Sequence, residues 1–186
     1  FSTHSVPMTD ADRSGPRDVD FGEGGAYAAQ HRAVAEVVMA AVDAAVDAAV
    51  AWDLVYQSRS GPPTQPWLEP DICDVIETLP DAGVEAVVIV PLGFVSDHME
   101  VLWDLDTEAM DAAKDAGLRA VRTATPGVDP AYVAGLVDLV EERLQGLPAD
   151  QRPHLTKLGP WFDVCRPGCC ENVRAGFKPA AAGIAP

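Results

Sequence analysis

Four acidic residues in the stretch SDHMEVLWDLDTEA are spaced by three, four and four positions: Asp97, Glu100, Asp104 and Glu108. On a helix turning about 100° per residue they fall within an arc of roughly 80° and line one face. Like charges at that spacing repel by a few tenths of a kcal/mol per pair. No Lys or Arg is interleaved before Lys114 to relieve them. Unpaired carboxylates in a row suit a hydrated divalent cation handed along oxygen ligands. The same row equally suits the solvated face of an acidic protein.

Two further groups of residues could do chemistry. His4 stands between hydroxyl residues in FSTHSVP, at the end of a short strand stopped by Pro7. A histidine there can accept a proton near neutral pH, or serve as a hydrogen-bonded structural residue. Near the other end, CRPGCC places Cys165, Cys169 and Cys170 within six residues. Clustered thiolates suit zinc or an iron–sulfur cluster. A four-ligand site needs one more donor. Cys73 is either that donor or a buried apolar cysteine of a helix, and tail thiols with no ligand role are the other reading. Trp67, in PPTQPWLEP, could anchor its Pro-rich loop or offer an aromatic surface.

The elements that must position these residues follow from apolar spacing. FSTHS, WDLVYQS, VEAVVIVPLGF and LRAVRTAT read as strands. The third is a continuous β-branched run of the kind found where helices cover both sheet faces. Residues 26–50 carry apolar side chains at 34, 37, 38, 41, 42, 45, 46, 49 and 50, which is helical spacing. DICDVIETLPDAG predicts a second helix stopped by Pro80 and Gly83, and SDHMEVLWDLDTEAMDAAKDAG a third with Ser96 as N-cap. PGVDPAYVAGLVDLVEERLQGL predicts a fourth, started at Asp129 or Pro130. Strands alternating with helices imply an α/β fold, a parallel sheet with helices on both faces, over residues 1–147. Residues 148–186 form an extension whose last dozen residues are expected to be loose. Open α/β sheets bind ligands outside the carboxyl ends of their strands. That rim gathers His4, then Gln57, Ser58 and Arg59, then Ser96, Asp97 and His98.

The totals narrow the function classes. With 186 residues, the chain is one domain or a large piece of something bigger, and 48% apolar residues suffice for a core. A net charge of −16 disfavours nucleic acid and anionic membrane surfaces. No run of eighteen apolar residues predicts a membrane span, and the start carries no signal-peptide pattern, so a cytoplasmic location and a monomer are expected.

PLGFVSDHMEVLWDLDTEA resembles the signature of the ferrochelatases, the enzymes that insert ferrous iron into a porphyrin. FSTHSVP is similar to that family's catalytic histidine segment, and VYQSRSGPPTQPWLEPD to its middle motif. The three occur in the family's order over about residues 1–147. The resemblance implies a Rossmann-like, chelatase-type C-terminal domain, one half of a two-lobed enzyme whose related half precedes Phe1. It implies His4 and Glu100 as the catalytic pair, and Asp104 and Glu108 as outer carboxylates on the metal path with them. It also implies Asp97 and Trp67 at the porphyrin. The Ala-rich sequence and Cys-rich tail are similar to actinobacterial members, which use coproporphyrin III. Many of those hold a [2Fe-2S] cluster with one ligand upstream of the histidine segment, which would leave Cys165, Cys169 and Cys170 as the ligands here. Porphyrin and Fe2+ as substrates follow from the same resemblance. The rival readings are a metal-carrying or metal-sensing module, a cobalt chelatase of the same fold, and a half-chain inert by itself.

Overall fold

The computed structural model describes residues 1–166, 168–171 and 176. The expected looseness of the last dozen residues concerns positions that, Gly176 apart, lie outside the described ones. The chain falls into two compact units, one of Phe1–Val6 with Ala51–Tyr132 and one of Pro7–Val50 with Val133–Pro186.

The first unit is built on four short strands, β1 (Ser2–His4), β2 (Val55–Gln57), β3 (Ala86–Ile89) and β4 (Arg119–Arg122). β1 pairs with β2 and β3 with β4, both in parallel. Ser2 N–H donates to Val90 O at 2.8 Å, which ties β1 to the segment just past β3. The four predicted strands and their parallel pairing are therefore present. The helix α3 (Ile72–Thr78) starts at Asp71, whose carboxylate accepts from Cys73 N–H at 2.8 Å. It tightens into a 3₁₀ turn, Leu79–Ala82, ending at Gly83 in the left-handed region at φ 77°, where a side chain would be strained.

The third predicted helix is three pieces: α4 (Met99–Trp103), a π turn (Asp104–Ala109) and α5 (Met110–Asp115). Its N-cap is His98, whose Nδ1 accepts from Val101 N–H, and not Ser96. The π turn has a sequence cause. Val101, Leu105, Ala109 and Ala113, fully buried, repeat at strict four-residue intervals. An ideal α-helix drifts about 40° with each four-residue step, and a wider i→i+5 turn takes up that drift. The stripe thereby stays on the core of Val55, Ile72, Ile76, Ile89 and Phe94. Burying each large side chain there contributes roughly 1.5–3 kcal/mol. One face of the β3–β4 pair is covered in this way. The other is open at Val88 and Val121, each about three-fifths exposed. Successive strand residues point to opposite sides, and within this unit the described helices cover one face of the pair rather than the expected two.

In the second unit, α1 (Met8–Ala11) packs on α2 (Gly25–Val46). Gly25 is required at the approach: a Cβ there would lie 2.1 Å from Ala11 O. α2 stops four residues before the expected Val50, with Asp47 left-handed and the Asp43 carboxylate accepting from Val50 N–H at 2.9 Å. Its buried side is Ala26, Ala28, Ala33, Ala35 and Met39, while Val34, Val38 and Val46 are exposed. The expected valine stripe is therefore not the packing face; small alanines allow the close approach instead. α6 (Pro130–Gln145) begins at Asp129, whose carboxylate accepts from Ala131 N–H at 2.8 Å. In the described start of the extension, Arg152 donates to Leu147 O at 2.8 Å and pairs with Glu142 and Asp163. No helix among the described residues is long and apolar enough to cross a membrane.

Candidate active site

The end of β1 and the start of α4 bring His4 and Glu100 together, Nε2 to Oε1 at 3.3 Å. His4 Nδ1 is hydrogen-bonded to the carbonyl oxygen of Ser5. A carbonyl can only accept, so Nδ1 carries the proton and Nε2 faces the carboxylate. Both side chains remain over a third exposed, so the pair is open to an incoming molecule.

Asp104 is held differently. Its Oδ2 accepts from Gln57 Nε2 at 3.2 Å and from the hydroxyl of Ser58. Gln57 is fully buried at the end of β2, and its Oε1 accepts in turn from the Ser2 hydroxyl. The amide is thereby oriented with its NH2 toward Asp104. Ser58 reaches the carboxylate from the left-handed region, at φ 63°, a conformation that costs a non-glycine residue some strain. With Oδ2 so occupied, Oδ1 is the oxygen Asp104 can offer a cation.

The Trp67 segment runs beside the histidine segment. Leu68 N–H donates to Val6 O at 3.0 Å, and the Ser5 hydroxyl donates to Leu68 O at 2.8 Å. The indole N–H of Trp67 is buried with no acceptor among the described residues. Glu108 is exposed on the π turn. Asp97 is turned to Arg122 at 2.7 Å, and the same guanidinium grips Asp106. That ion pairing holds the Asp106 carboxyl below the usual carboxylate range. The structure thus joins His4 to Glu100 and sets Trp67 alongside; it does not gather the four acids around one point. Among the described residues no three His, Cys, Asp or Glu side chains converge closely enough to hold a metal ion.

Gln57 and Ser58 were visible on the polar rim, but Arg122 and Asp106 were missed. Arg122 closes β4, so applying the strand-end rule to the fourth strand would have singled it out.

Within the first unit Cys73 is a half-buried side chain of α3. Burial, then the charges of Asp71 and Glu108, push its thiol up to about 11, and it packs against the core as an apolar side chain. In the second unit the thiols lie against the loop before α2. Gly15 N–H donates to Cys170 Sγ at 3.3 Å, and Cys170 N–H donates to Arg13 O at 3.1 Å. Cys169 and Cys170 Sγ are 3.5 Å apart. Burial, then its hydrogen bond with Cys170, pushes the Cys169 thiol up to about 12.

The sequence profile of the family described as ferrochelatase matches residues 1–144. The chain belongs to the ferrochelatase family. It is 66% identical over 191 residues to the coproporphyrin III ferrochelatase of Leifsonia xyli subsp. xyli, covering 100% of this chain and 48% of that protein. It is 60% identical over 186 residues to the coproporphyrin III ferrochelatase of Tropheryma whipplei strain Twist, covering 100% of this chain and 47% of that protein. The corresponding protein of Streptomyces griseus is 54% identical over 185 residues, with 98% of this chain and 48% of that protein covered. The chain spans about half the length of the curated relatives it matches. The ferrochelatase profile covers the histidine segment, the Trp67 motif and the acidic helix together.

Proposed function

We propose that this chain carries the metal-inserting lobe of a ferrochelatase that places Fe2+ into coproporphyrin III, giving coproheme. The observation that carries this reading is the 3.3 Å approach of His4 Nε2 to Glu100 Oε1 beside a helix of further carboxylates. Insertion must remove two pyrrole N–H protons and strip water from the metal. His4, its Nδ1 proton committed to Ser5 O, takes one proton at Nε2. The Glu100 carboxylate stabilises the imidazolium formed beside it and then takes the second proton. Asp104, through Oδ1, and Glu108 are hard oxygen ligands that exchange for the waters of Fe2+ on its way to the pair. Trp67 packs an aromatic face at the macrocycle, and Asp97 supports the same end of the site. The lobe is Rossmann-like and pairs with a second lobe to enclose the porphyrin. The parallel strands and the half-length match to the relatives support that placement.

We also place a [2Fe-2S] cluster on Cys165, Cys169 and Cys170. Their soft sulfur donors, two of them already in contact, fit such a group. Bound there, the cluster would supply a one-electron redox centre, and its irons would offset the burial that keeps the Cys169 thiol protonated.

The test is anaerobic metallation by the natural full-length protein, followed through the Soret band. Conversion of coproporphyrin III with Fe2+ is the expected result. Tight Fe2+ binding with no metallation would replace the enzyme by a metal carrier.

A further inference from the structure

Arg122, at the end of β4, makes a contact that the metal-insertion reading does not use. Its Nε and Nη2 donate to the two oxygens of Asp106, each at 2.6 Å. Its Nη1 donates to Asp97 Oδ1 at 2.7 Å and to Thr123 O at 3.1 Å. The guanidinium side chain is only 12% exposed. This is a bidentate fork with a third arm, the geometry that arginine provides and lysine does not. Its two acidic partners lie on either side of Glu100 and Asp104 in the chain. Asp97 directly precedes the His98 cap of α4, and Asp106 lies within the π turn, between Asp104 and Glu108.

We infer that Arg122 is a positioning residue for the metal path, setting the register of the π turn so that Glu100, Asp104 and Glu108 present one line of oxygens to the cation. Two effects follow from one group. The fork fixes the wide turn that aligns residues spaced by four. The guanidinium charge offsets part of the negative charge of Asp97 and Asp106, the acids not offered to metal, and so weakens their repulsion of the others. The strength of this clamp comes from charge-assisted hydrogen bonds made by a mostly buried guanidinium to carboxylates that stay partly exposed. The inference rests on the metal-insertion reading, and it concerns the cation rather than the porphyrin.

The test uses the natural full-length protein with Arg122→Gln, Arg122→Lys, Asp106→Asn and the double variant Arg122→Gln with Asp106→Asn. Three quantities are read: the KM for Fe2+, the KM for coproporphyrin III, and the Kd for Co2+ titrated without porphyrin. Arg122→Gln is expected to raise the Fe2+ KM and the Co2+ Kd about tenfold and, through the released Asp97, to raise the porphyrin KM by no more than about twofold. Arg122→Lys should recover less than half of that loss, and the double variant should be no worse than Arg122→Gln. Equal losses for both substrates, or a fall in melting temperature with the Co2+ Kd unchanged, would overturn the inference. Full rescue by lysine would also overturn it, by showing that charge alone matters. Should Arg122→Gln not fold, Asp106→Asn carries the same readouts. A wild type that binds Co2+ but inserts no iron sinks the chelatase reading, while the Co2+ Kd of the variants still decides the clamp.

Discussion

The carboxylates proposed for the metal path in the first unit and the thiols proposed as cluster ligands in the second are held in opposite ways. Glu100 and Asp104 project from a helix whose opposite face is locked into the core, and neutral donors or a histidine hold them. Cys169 and Cys170 sit on an irregular tail, hydrogen-bonded to each other and to backbone of the preceding loop. In the proposed reading the oxygen donors are set in place by the helix and by Gln57, Ser58 and His4 before a cation arrives. Burial raises the Cys169 thiol, so as a ligand it would suit a tightly held group rather than a passing one. Transit favours preset, weakly held oxygen. Residence favours sulfur.

Substitutions at the two regions should therefore move different quantities. Glu100→Gln should lower the rate of metallation by about 10²–10⁴-fold, the usual contribution of a positioned acid or base, with iron and acid-labile sulfide content unchanged. Cys169→Ser should do the reverse, cutting the sulfide content to background. A Cys169→Ser protein with its full sulfide complement would remove that residue from the ligand set. Leu105→Ala strikes the buried stripe under the carboxylates and should destabilise by about 2–5 kcal/mol in denaturant unfolding. Its loss of metallation at permissive temperature should exceed that of an equally destabilising change in α2.

Smaller effects sharpen the same contrast. Ser58→Ala frees one of two hydrogen bonds on Asp104 and should cost about 1 kcal/mol in cation affinity, read as a severalfold higher Fe2+ KM. The smallest effect is acid-dependent. Asp106 has its folded pKa lowered by Arg122, so its contribution is present above the unfolded value of about 3.9 and is lost as pH falls through the lower folded value. Asp106→Asn should thus be less stable than wild type at neutral pH, and the gap should close below about pH 4. A gap unchanged down to the lowest accessible pH would show that the ion pair does not stabilise the fold.

Much of this architecture was readable from residue order. The strands at Val55 and Ala86 show as short apolar runs between loops, the one at Ser2 by the Pro7 that stops it, and the spacing of Glu100, Asp104 and Glu108 already sets them on one side of a helix. Three features were not readable, each for a stated reason. The π turn is invisible to a helical wheel because the wheel assumes 3.6 residues per turn, although the exact fours of Val101, Leu105, Ala109 and Ala113 hint at it. The Arg122 fork joins residues 16 and 25 positions apart, so no local pattern encodes it. The valines of α2 look like a core stripe by period, yet the glycine and alanine contacts at α1 decide which side packs.

The central claim is that His4 and Glu100 act as one proton-accepting centre, and a double-mutant cycle on metallation tests it most directly. Wild type, His4→Ala, Glu100→Gln and the double variant of the natural full-length protein would be compared anaerobically with Fe2+ and coproporphyrin III. A double variant no slower than the worse single variant, with both singles far below wild type, is the predicted result. Fully additive losses, or a His4→Ala protein that metallates at the wild-type rate, would contradict the account.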